Sequence, residues 1–218
     1  MHRSIISVTG VLMLACGSAS HAQESRPAPL PVSVPTYENV NCPIMGKPSS
    51  TSLFVDTPKG RIYTCCPPCN AKIRKDPDFA HKAAYPKITK IENKVCPITG
   101  NAIPAGSPTL VLQGYEFSVC SMECVQAAQN HSQIVLTKLL KPEVRDLANT
   151  TCPLTGKKVE NNAFVLIGND LVHLSSTRCF EVVLRSPEET LRKAKASAAP
   201  VKKVEADTKP ADLKQKPN

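Results

Sequence analysis

The sequence predicts an α+β protein of three small tandem modules, each made of a tight knuckle, a β-hairpin and a helix, with disordered termini. The motif Cys-Pro-x-x-Gly occurs three times, and its opening residues Cys42, Cys96 and Cys152 lie 54 and then 56 residues apart. Each motif is followed by two short strand-like runs and by a helical run that carries a further cysteine. A fixed period of this kind is typical of tandem structural units.

The composition also favours small units. The chain has 218 residues, ten cysteines, four tyrosines, five phenylalanines and no tryptophan. A unit of about fifty residues buries too little apolar surface to be stable through its core alone. Such units need disulfides, a metal ion or contacts with one another, and the cysteines are candidates for the first two.

Residues 1–22 have the features of an export signal, with a basic start at Arg3, an apolar core that ends at Ala15 and a small-residue cleavage site before Gln23. A lipoprotein signal is the alternative, because the sequence around Cys16 resembles a lipobox. Both interpretations place the mature protein outside the cytoplasm, either periplasmic or secreted. We expect contact with a membrane only if Cys16 is lipidated.

The regions that flank the modules are predicted to lack regular structure. Residues 23–38 are rich in proline and predict an extended linker. Residues 191–218 contain Lys, Ala and Pro without an apolar face, which predicts a basic disordered tail. This tail is expected to be solvated, with attraction to an anionic surface as the alternative.

The charge distribution argues against a nucleic-acid partner. The net charge is +9, but residues 190–218 contain eight basic and three acidic residues and so hold five of these charges. The modules are only mildly basic and have no stripe of aromatic and basic residues on which bases could stack.

The three modules are predicted at residues 39–86, 92–146 and 148–190. In each knuckle, Pro fixes one φ angle and Gly permits a left-handed turn. The helices should begin near Pro67, Met122 and Thr177, with serine N-caps in the last two modules. The paired strands are expected at 52–56 with 61–65, at 109–113 with 115–119, and at 163–167 with 171–175.

Cysteine spacing predicts a metal site in each of the first two modules. Turn amides in a knuckle can donate hydrogen bonds to the first sulfur, and the helix dipole should lower the pKa of the last thiol, which lies in the first helical turn. Thiolates select soft or borderline ions of the zinc and copper class. The predicted ligands are Cys42, Cys65 and Cys69 in module 1, and Cys96, Cys120 and Cys124 in module 2.

Knuckle, hairpin and helix in this order are typical of a treble-clef metal module. The early cysteine, the later Cys-x3-Cys and the helix after it resemble the YHS/TRASH family of small heavy-metal-binding modules. The resemblance covers residues 39–86 and 92–140 well, but 148–190 only in part, because Ser175 stands at the position of the middle cysteine. It implies a role in the trafficking, sensing or resistance of metals such as copper or zinc.

Cys66 gives module 1 a fourth cysteine, at the position of the N-cap serines Ser121 and Ser176. A closed structural zinc site has four ligands, so Cys66 is a candidate fourth ligand, with neutral replacement of serine as the alternative. The run from Cys66 to Cys69 also has the form of a thioredoxin-type C-x-x-C at a helix N-terminus, although the surrounding βαβ pattern is absent.

Module 3 retains only Cys152 and Cys179. Two thiols brought together in an oxidising compartment tend to pair, so we expect a disulfide between them. The alternative is a metal held by these two cysteines and His173. Met45 and Met122 are candidate thioether ligands in the other modules, the alternative being gap-filling core.

Three functions are consistent with these features. The leading hypothesis is an exported soft-metal-binding protein that buffers or relays zinc or copper without catalysis, exchanging the ion with a metal-trafficking partner. The second is a thiol–disulfide oxidoreductase that uses Cys66 and Cys69. The third is a structural array in which oxidised or zinc-bound cysteines only stabilise the modules for a protein contact.

Overall fold

The computed structural model describes residues 30–198, which have a mixed α+β architecture with small sheets and six α-helices. No helix in this part of the chain is long and apolar enough to cross a membrane. The strands are β1 (Val32–Ser33), β2 (Ser50–Thr57), β3 (Gly60–Thr64), β4 (Thr89–Lys90), β5 (Thr109–Leu112), β6 (Tyr115–Ser118), β7 (Arg145–Asp146), β8 (Phe164–Ile167) and β9 (Asp170–His173). The helices are α1 (Pro67–Lys75), α2 (Pro77–Ala84), α3 (Met122–Asn130), α4 (Ser132–Leu140), α5 (Phe180–Arg185) and α6 (Pro187–Ser197), with a 3-10 turn at Thr177–Cys179 before α5.

The same order of elements occurs three times. A Cys-Pro-x-x-Gly turn is followed by an antiparallel hairpin, formed by β2 and β3, by β5 and β6, or by β8 and β9. Each hairpin lies within two residues of its expected position, and the first helical residues are the expected ones, Pro67, Met122 and Thr177. We call these units modules 1, 2 and 3.

Each module ends in two short helices instead of the single one expected from the sequence. The helical path breaks at Asp76, His131 and Ser186, whose ψ angles are 79°, 36° and 64°. Two of the following helices begin with proline, which has no N–H to continue the preceding helix. The Asp76 side chain also accepts a hydrogen bond from the backbone N–H of Phe79 and caps α2.

Two module boundaries differ from the expected ones because short strands pair in parallel with the hairpin that follows them in the sequence. Strand β4 pairs with β6 of module 2, although the sequence placed the start of that module at residue 92. Strand β7 pairs with β9 of module 3, although it was expected to end module 2. These pairings join residues distant in sequence, so local sequence patterns do not reveal them.

The described part of the predicted linker, residues 30–38, is bound to the modules. Strand β1 pairs with β8, and the backbone N–H of Gly168 donates to the carbonyl of Pro31 at 2.8 Å. Farther along, the Tyr37 hydroxyl donates to Thr137 Oγ1 at 3.0 Å in α4 of module 2. The segment therefore contacts module 3 and module 2 before it enters module 1, and the expectation of a free linker is wrong for these residues.

Buried glutamines join modules 1 and 2. Gln113, at the turn of the second hairpin, donates from Nε2 to the carbonyl of Tyr37 at 2.6 Å and accepts at Oε1 from the backbone N–H of Arg61 at 3.1 Å. Gln133 in α4 donates to the same Oε1. Both glutamines are at most 2% exposed. A Cβ at Gly60 would lie 2.8 Å from the Gln113 side chain, so the two hairpin turns interlock.

An apolar contact joins modules 2 and 3. Ile134 of α4 lies in one buried cluster with Phe164, Leu166 and Leu171 of the third hairpin. Each module also has its own small core. Because the modules contact one another through both polar and apolar groups, each supplies part of the burial that a unit of this size lacks alone.

The expectation of a disordered tail beginning at residue 191 is wrong for its first residues. Helix α6 continues to Ser197, its Ala194 is fully buried, and Leu191 packs against the core of module 3. Lys195 forms an ion pair with Asp170 at 3.1 Å. These few contacts hold α6 against module 3, although most of its residues are polar or charged. The predicted signal with Cys16, and residues 199–218 of the tail, lie outside the described residues.

Replacing Ala194 by Glu should destabilise module 3, because the change buries an unpaired carboxylate against a packed core. We expect a loss of about 2–4 kcal/mol in the free energy of unfolding, measured by thermal and urea denaturation. Ala196→Glu on the exposed side of α6 is the matched control and should change stability by less than about 0.5 kcal/mol. Equal effects of the two variants would contradict the docking of α6.

Candidate metal centres

Two groups of three cysteines converge in the structure. The sulfur atoms within each group all lie within 4.8 Å of one another. Cys65 and Cys69 are 4.0 Å apart, and Cys120 and Cys124 are 3.5 Å apart. Zn–S bonds of about 2.3 Å in a tetrahedral site place sulfur atoms about 3.8 Å apart. The sulfurs are thus spaced for one ion per group. Site 1 consists of Cys42, Cys65 and Cys69, and site 2 of Cys96, Cys120 and Cys124.

The knuckle holds the first cysteine of each site in a closed turn. In module 1 the Gly46 N–H donates to the carbonyl of Cys42 at 2.8 Å, and the Cys42 N–H donates to the carbonyl of Lys47 at 2.7 Å. Gly46 has a φ of +66°, and a Cβ there would meet nothing within 4 Å. The glycine is therefore required for its left-handed backbone and not for space. Module 2 repeats both hydrogen bonds.

An asparagine three residues before each knuckle cysteine ties the knuckle to the hairpin, and sequence analysis missed it. Asn39 donates from Nδ2 to the carbonyl of Tyr63 at 2.9 Å and accepts at Oδ1 from the N–H of the same tyrosine at 2.8 Å. Asn93 makes the same pair of bonds to Ser118, and Asn149 to His173. The recurrent Asn-x-x-Cys-Pro is a sequence signal that could have revealed this role.

The other two cysteines of each site come from the junction between the hairpin and the first helix. Cys65 directly follows β3, and Cys69 lies in the first turn of α1, where its sulfur is buried. In module 2, Cys120 follows β6 after one intervening residue, and Cys124 lies in the first turn of α3. The knuckle and helix cysteines are buried, whereas the middle cysteine is partly exposed. Each site therefore has a buried side and an edge that faces solvent.

The knuckle thiols ionise more readily than ordinary thiols. Burial opposes ionisation of Cys42, but the backbone amides of Cys65, Ile44 and Met45 outweigh it and lower its pKa to about 7. For Cys96 burial is likewise outweighed by backbone amides, and its pKa is lowered to about 6. This agrees with the expectation that knuckle amides favour the thiolate.

The helix thiols behave in the opposite way, so the expectation of a lowered pKa is wrong for them. Burial and hydrogen bonds to the neighbouring thiols raise the pKa of Cys69. The Ser121 side chain lowers the pKa of Cys124, but burial and the thiols of Cys120 and Cys96 give a net upward shift. In each triad a helix thiol with a raised pKa therefore lies beside a knuckle thiol with a lowered pKa, and metal binding has to displace the proton of the helix thiol.

Cys66 lies beside site 1. Its sulfur is 3.3 Å from that of Cys69 and 3.9 Å from that of Cys65. It occupies the N-cap position of α1 but makes no side-chain capping bond, whereas Ser121 Oγ accepts from the Cys124 N–H.

The two candidate thioether ligands are exposed. Met45 is 52% exposed and Met122 is 65% exposed, so neither fills a core.

Module 3 has a degenerate form of the site. The sulfurs of Cys152 and Cys179 approach to 4.0 Å, as expected, but both thiols are free, so the expected disulfide is not formed in this structure. Ser175 Oγ lies 4.0 Å from the Cys179 sulfur and 2.8 Å from Thr155 Oγ1. The alternative in which His173 completes a metal site is wrong, because the His173 ring nitrogens do not form a group with the sulfurs of Cys152 and Cys179 within 4.8 Å. Its Nε2 pairs with Asp146 at 2.7 Å.

Comparisons of the chain with protein-family models, curated proteins and solved structures find no match. The cysteine spacing and the geometry of the two triads are the features of this chain that point to a function.

Asn39→Ala should weaken site 1 selectively. The change leaves the backbone N–H of Tyr63 without its side-chain partner and its carbonyl with only the Ser49 hydroxyl at 3.3 Å. This should cost about 2 kcal/mol of stability and loosen the knuckle against the hairpin. We expect zinc affinity at site 1 to fall by about tenfold, measured by competition with a chromophoric chelator. Asn93→Ala is the reciprocal control and should affect only site 2. Equal loss at both sites in either variant would contradict a local role.

Asp146→Asn should remove a pH-dependent stabilisation of module 3. Burial opposes ionisation, but His173 and Lys138 hold the pKa of Asp146 well below its usual range. A carboxyl with a depressed folded-state pKa stabilises the fold above its unfolded pKa of about 3.9, and this contribution is lost as pH falls through the folded value. The variant should be less stable than the wild type by about 2 kcal/mol at pH 6, with a smaller difference in acid. Urea denaturation at several pH values measures this, and a pH-independent difference would contradict it.

Proposed function

We propose that this chain is an exported soft-metal-binding protein that buffers or relays zinc or copper through sites 1 and 2, without catalysis. The observation that supports this most directly is the convergence of six cysteines into two triads of the same construction. In each triad a knuckle, a strand end and a helix turn supply one thiol each. Two copies of the same three-part arrangement favour a common ligand.

The ligand set favours exchange of the ion over a closed structural role. Structural zinc sites have four protein ligands, whereas sites with three keep a position open for another molecule. Each of the two sites has three converging thiols, and Cys66 is not among the three of site 1. The middle cysteine of each site is partly exposed and lies at the solvent edge. A chelator or a metal-trafficking partner can approach the ion from this edge.

The metal class follows from the donors. Thiolate sulfur selects Cu(I), Zn(II) and similar soft or borderline ions over Mg²⁺ or Ca²⁺. The exposed Met45 and Met122 lie in the first knuckle and between the two junction cysteines of site 2. A thioether at the edge of a thiolate site would favour Cu(I).

We further propose that the modules are YHS/TRASH-like treble-clef metal modules, the third being degenerate. Module 3 retains the knuckle and the asparagine bridge but has Ser175 in place of the middle thiol. In this proposal its role is to support the array through the apolar contact with α4. Export rests on the sequence of residues 1–22, and membrane attachment would require lipidation of Cys16.

The second candidate is a structural array in which metal only stabilises the modules. The contacts of Gln113 and of residues 30–38 across modules favour this, because they fix the modules relative to one another. The two functions differ in how metal removal affects folding. Buffering requires that the fold survives removal of the ion, whereas a purely structural ion holds the fold together.

Fully reduced protein should bind two zinc or copper(I) ions per chain. Elemental analysis after desalting measures the content, and Cys42→Ser and Cys96→Ser should each reduce it to one. A mild chelator should then remove both ions while the circular dichroism spectrum is retained. Fewer than one ion per reduced chain would contradict the metal sites, and unfolding upon removal of the ions would favour the structural array.

A further inference from the structure

The cysteine at the cap of α1 distinguishes site 1 from site 2. The 3.3 Å between the sulfurs of Cys66 and Cys69 is shorter than the 4.0 Å between Cys65 and Cys69. At the same position in module 2, Ser121 uses its hydroxyl to cap the helix. The Cys66 side chain makes no capping bond and lies against a predicted metal ligand instead.

We propose that Cys66 and Cys69 form a reversible disulfide by exchange with a low-molecular-weight disulfide of the glutathione type. Forming this bond removes Cys69 from site 1 and releases its ion, while site 2 keeps its ion because Ser121 cannot take part in such a bond. The metal release rests on the proposed function. Formation of the disulfide does not, because it requires only the two thiols and the oxidant.

Exposure determines the order of the two steps. Cys66 is partly exposed, whereas Cys69 is 2% exposed. The Cys66 sulfur therefore meets the external disulfide first, attacks one of its sulfurs and expels one small thiol, which leaves a mixed disulfide on Cys66. The Cys69 sulfur then attacks the Cys66 sulfur and expels the second small thiol.

The exchange is balanced in atoms and electrons. One S–S bond of the oxidant is broken and one between Cys66 and Cys69 is formed. Two electrons pass from the protein thiols to the oxidant, and the two protons that the protein thiols lose appear on the two released small thiols. If site 1 is occupied, Cys69 is already a thiolate, so the second small thiol leaves as a thiolate and takes its proton from solvent. The ion leaves as the Cys69 sulfur enters the new bond, because a disulfide sulfur is no longer a thiolate ligand.

Backbone geometry selects Cys69 as the partner over Cys65. Adjacent residues have Cα atoms about 3.8 Å apart across a trans peptide. Disulfides usually require about 4.4–6.8 Å between Cα atoms, so neighbouring cysteines such as Cys65 and Cys66 are poorly placed to pair. Cys66 and Cys69 are three residues apart across the start of α1, and their sulfurs already lie together.

The test compares three chains that differ at the cap positions. Reduced, zinc-loaded wild type, Cys66→Ser, and the double variant Cys66→Ser with Ser121→Cys are treated with oxidised glutathione and desalted. Zinc should fall from two ions to one in the wild type and stay at two in Cys66→Ser. In the double variant it should again fall to one, now from site 2. Serine at position 66 is the residue that modules 2 and 3 carry there, so this variant keeps a good helix cap.

Peptide mapping reports the disulfide without reference to metal. The tryptic peptide 62–72 contains Cys65, Cys66 and Cys69. After reduction it should take up three alkyl groups. After oxidation it should take up one, located on Cys65 by fragmentation. This readout separates the two proposals, since reduced wild type that binds no zinc contradicts the proposed function while the mapping still tests the disulfide.

Three results would each overturn the inference. The first is three alkyl groups on the oxidised peptide, or a remaining group on Cys66 or Cys69. The second is equal zinc loss from wild type and Cys66→Ser. The third is a double variant that keeps both ions after oxidation. A cysteine at the cap position would then not be sufficient to make a site lose its ion.

Discussion

The rest of the structure depends on an asparagine side chain in each module that forms two hydrogen bonds with the backbone of one strand residue. Asn39, Asn93 and Asn149 each present one donor and one acceptor to a single residue of the second hairpin strand. This pair of bonds holds the knuckle beside the strand that leads to the middle cysteine. A buried backbone group must find a partner, so the asparagine both satisfies the strand and sets the distance between the first and second thiols.

Within this constant frame, single substitutions give the three modules different chemistry. The middle position holds Cys65, Cys120 or Ser175, and the helix cap holds Cys66, Ser121 or Ser176. Module 2 has three thiols and an ordinary cap, module 1 adds a fourth thiol, and module 3 loses one. The backbone of the knuckle is the same in all three, so the differences lie in the side chains that face the site.

The contacts between modules explain how such small units remain folded. Buried Gln113 accepts hydrogen bonds from Gln133 and from the first hairpin turn, although Gln133 Oε1 has no hydrogen-bond partner among the described residues. Ile134 joins the core of the third hairpin. Buried polar groups of this kind are favourable only when their partners are in place. The polar and the apolar contact therefore specify how the modules are oriented as well as stabilising them.

The sequence by itself determined the repeat, the three hairpins, the starts of the helices and the composition of both thiol triads. These features depend on local turn chemistry and on spacing along the chain, which the residues display directly. The turn of each knuckle is stabilised by residues that are close together in the sequence, so its Pro, Gly and Cys pattern can be recognised locally.

Only the tertiary structure decided the features that depend on contacts between distant residues. Strand β1 of the expected linker became part of the sheet in module 3, α6 docked through Ala194, and His173 paired with Asp146. Burial and neighbouring thiols reversed the expected pKa shift of Cys69. Each outcome depends on which surfaces meet after folding, and the periodicity of a single segment contains no information about the partner against which it packs.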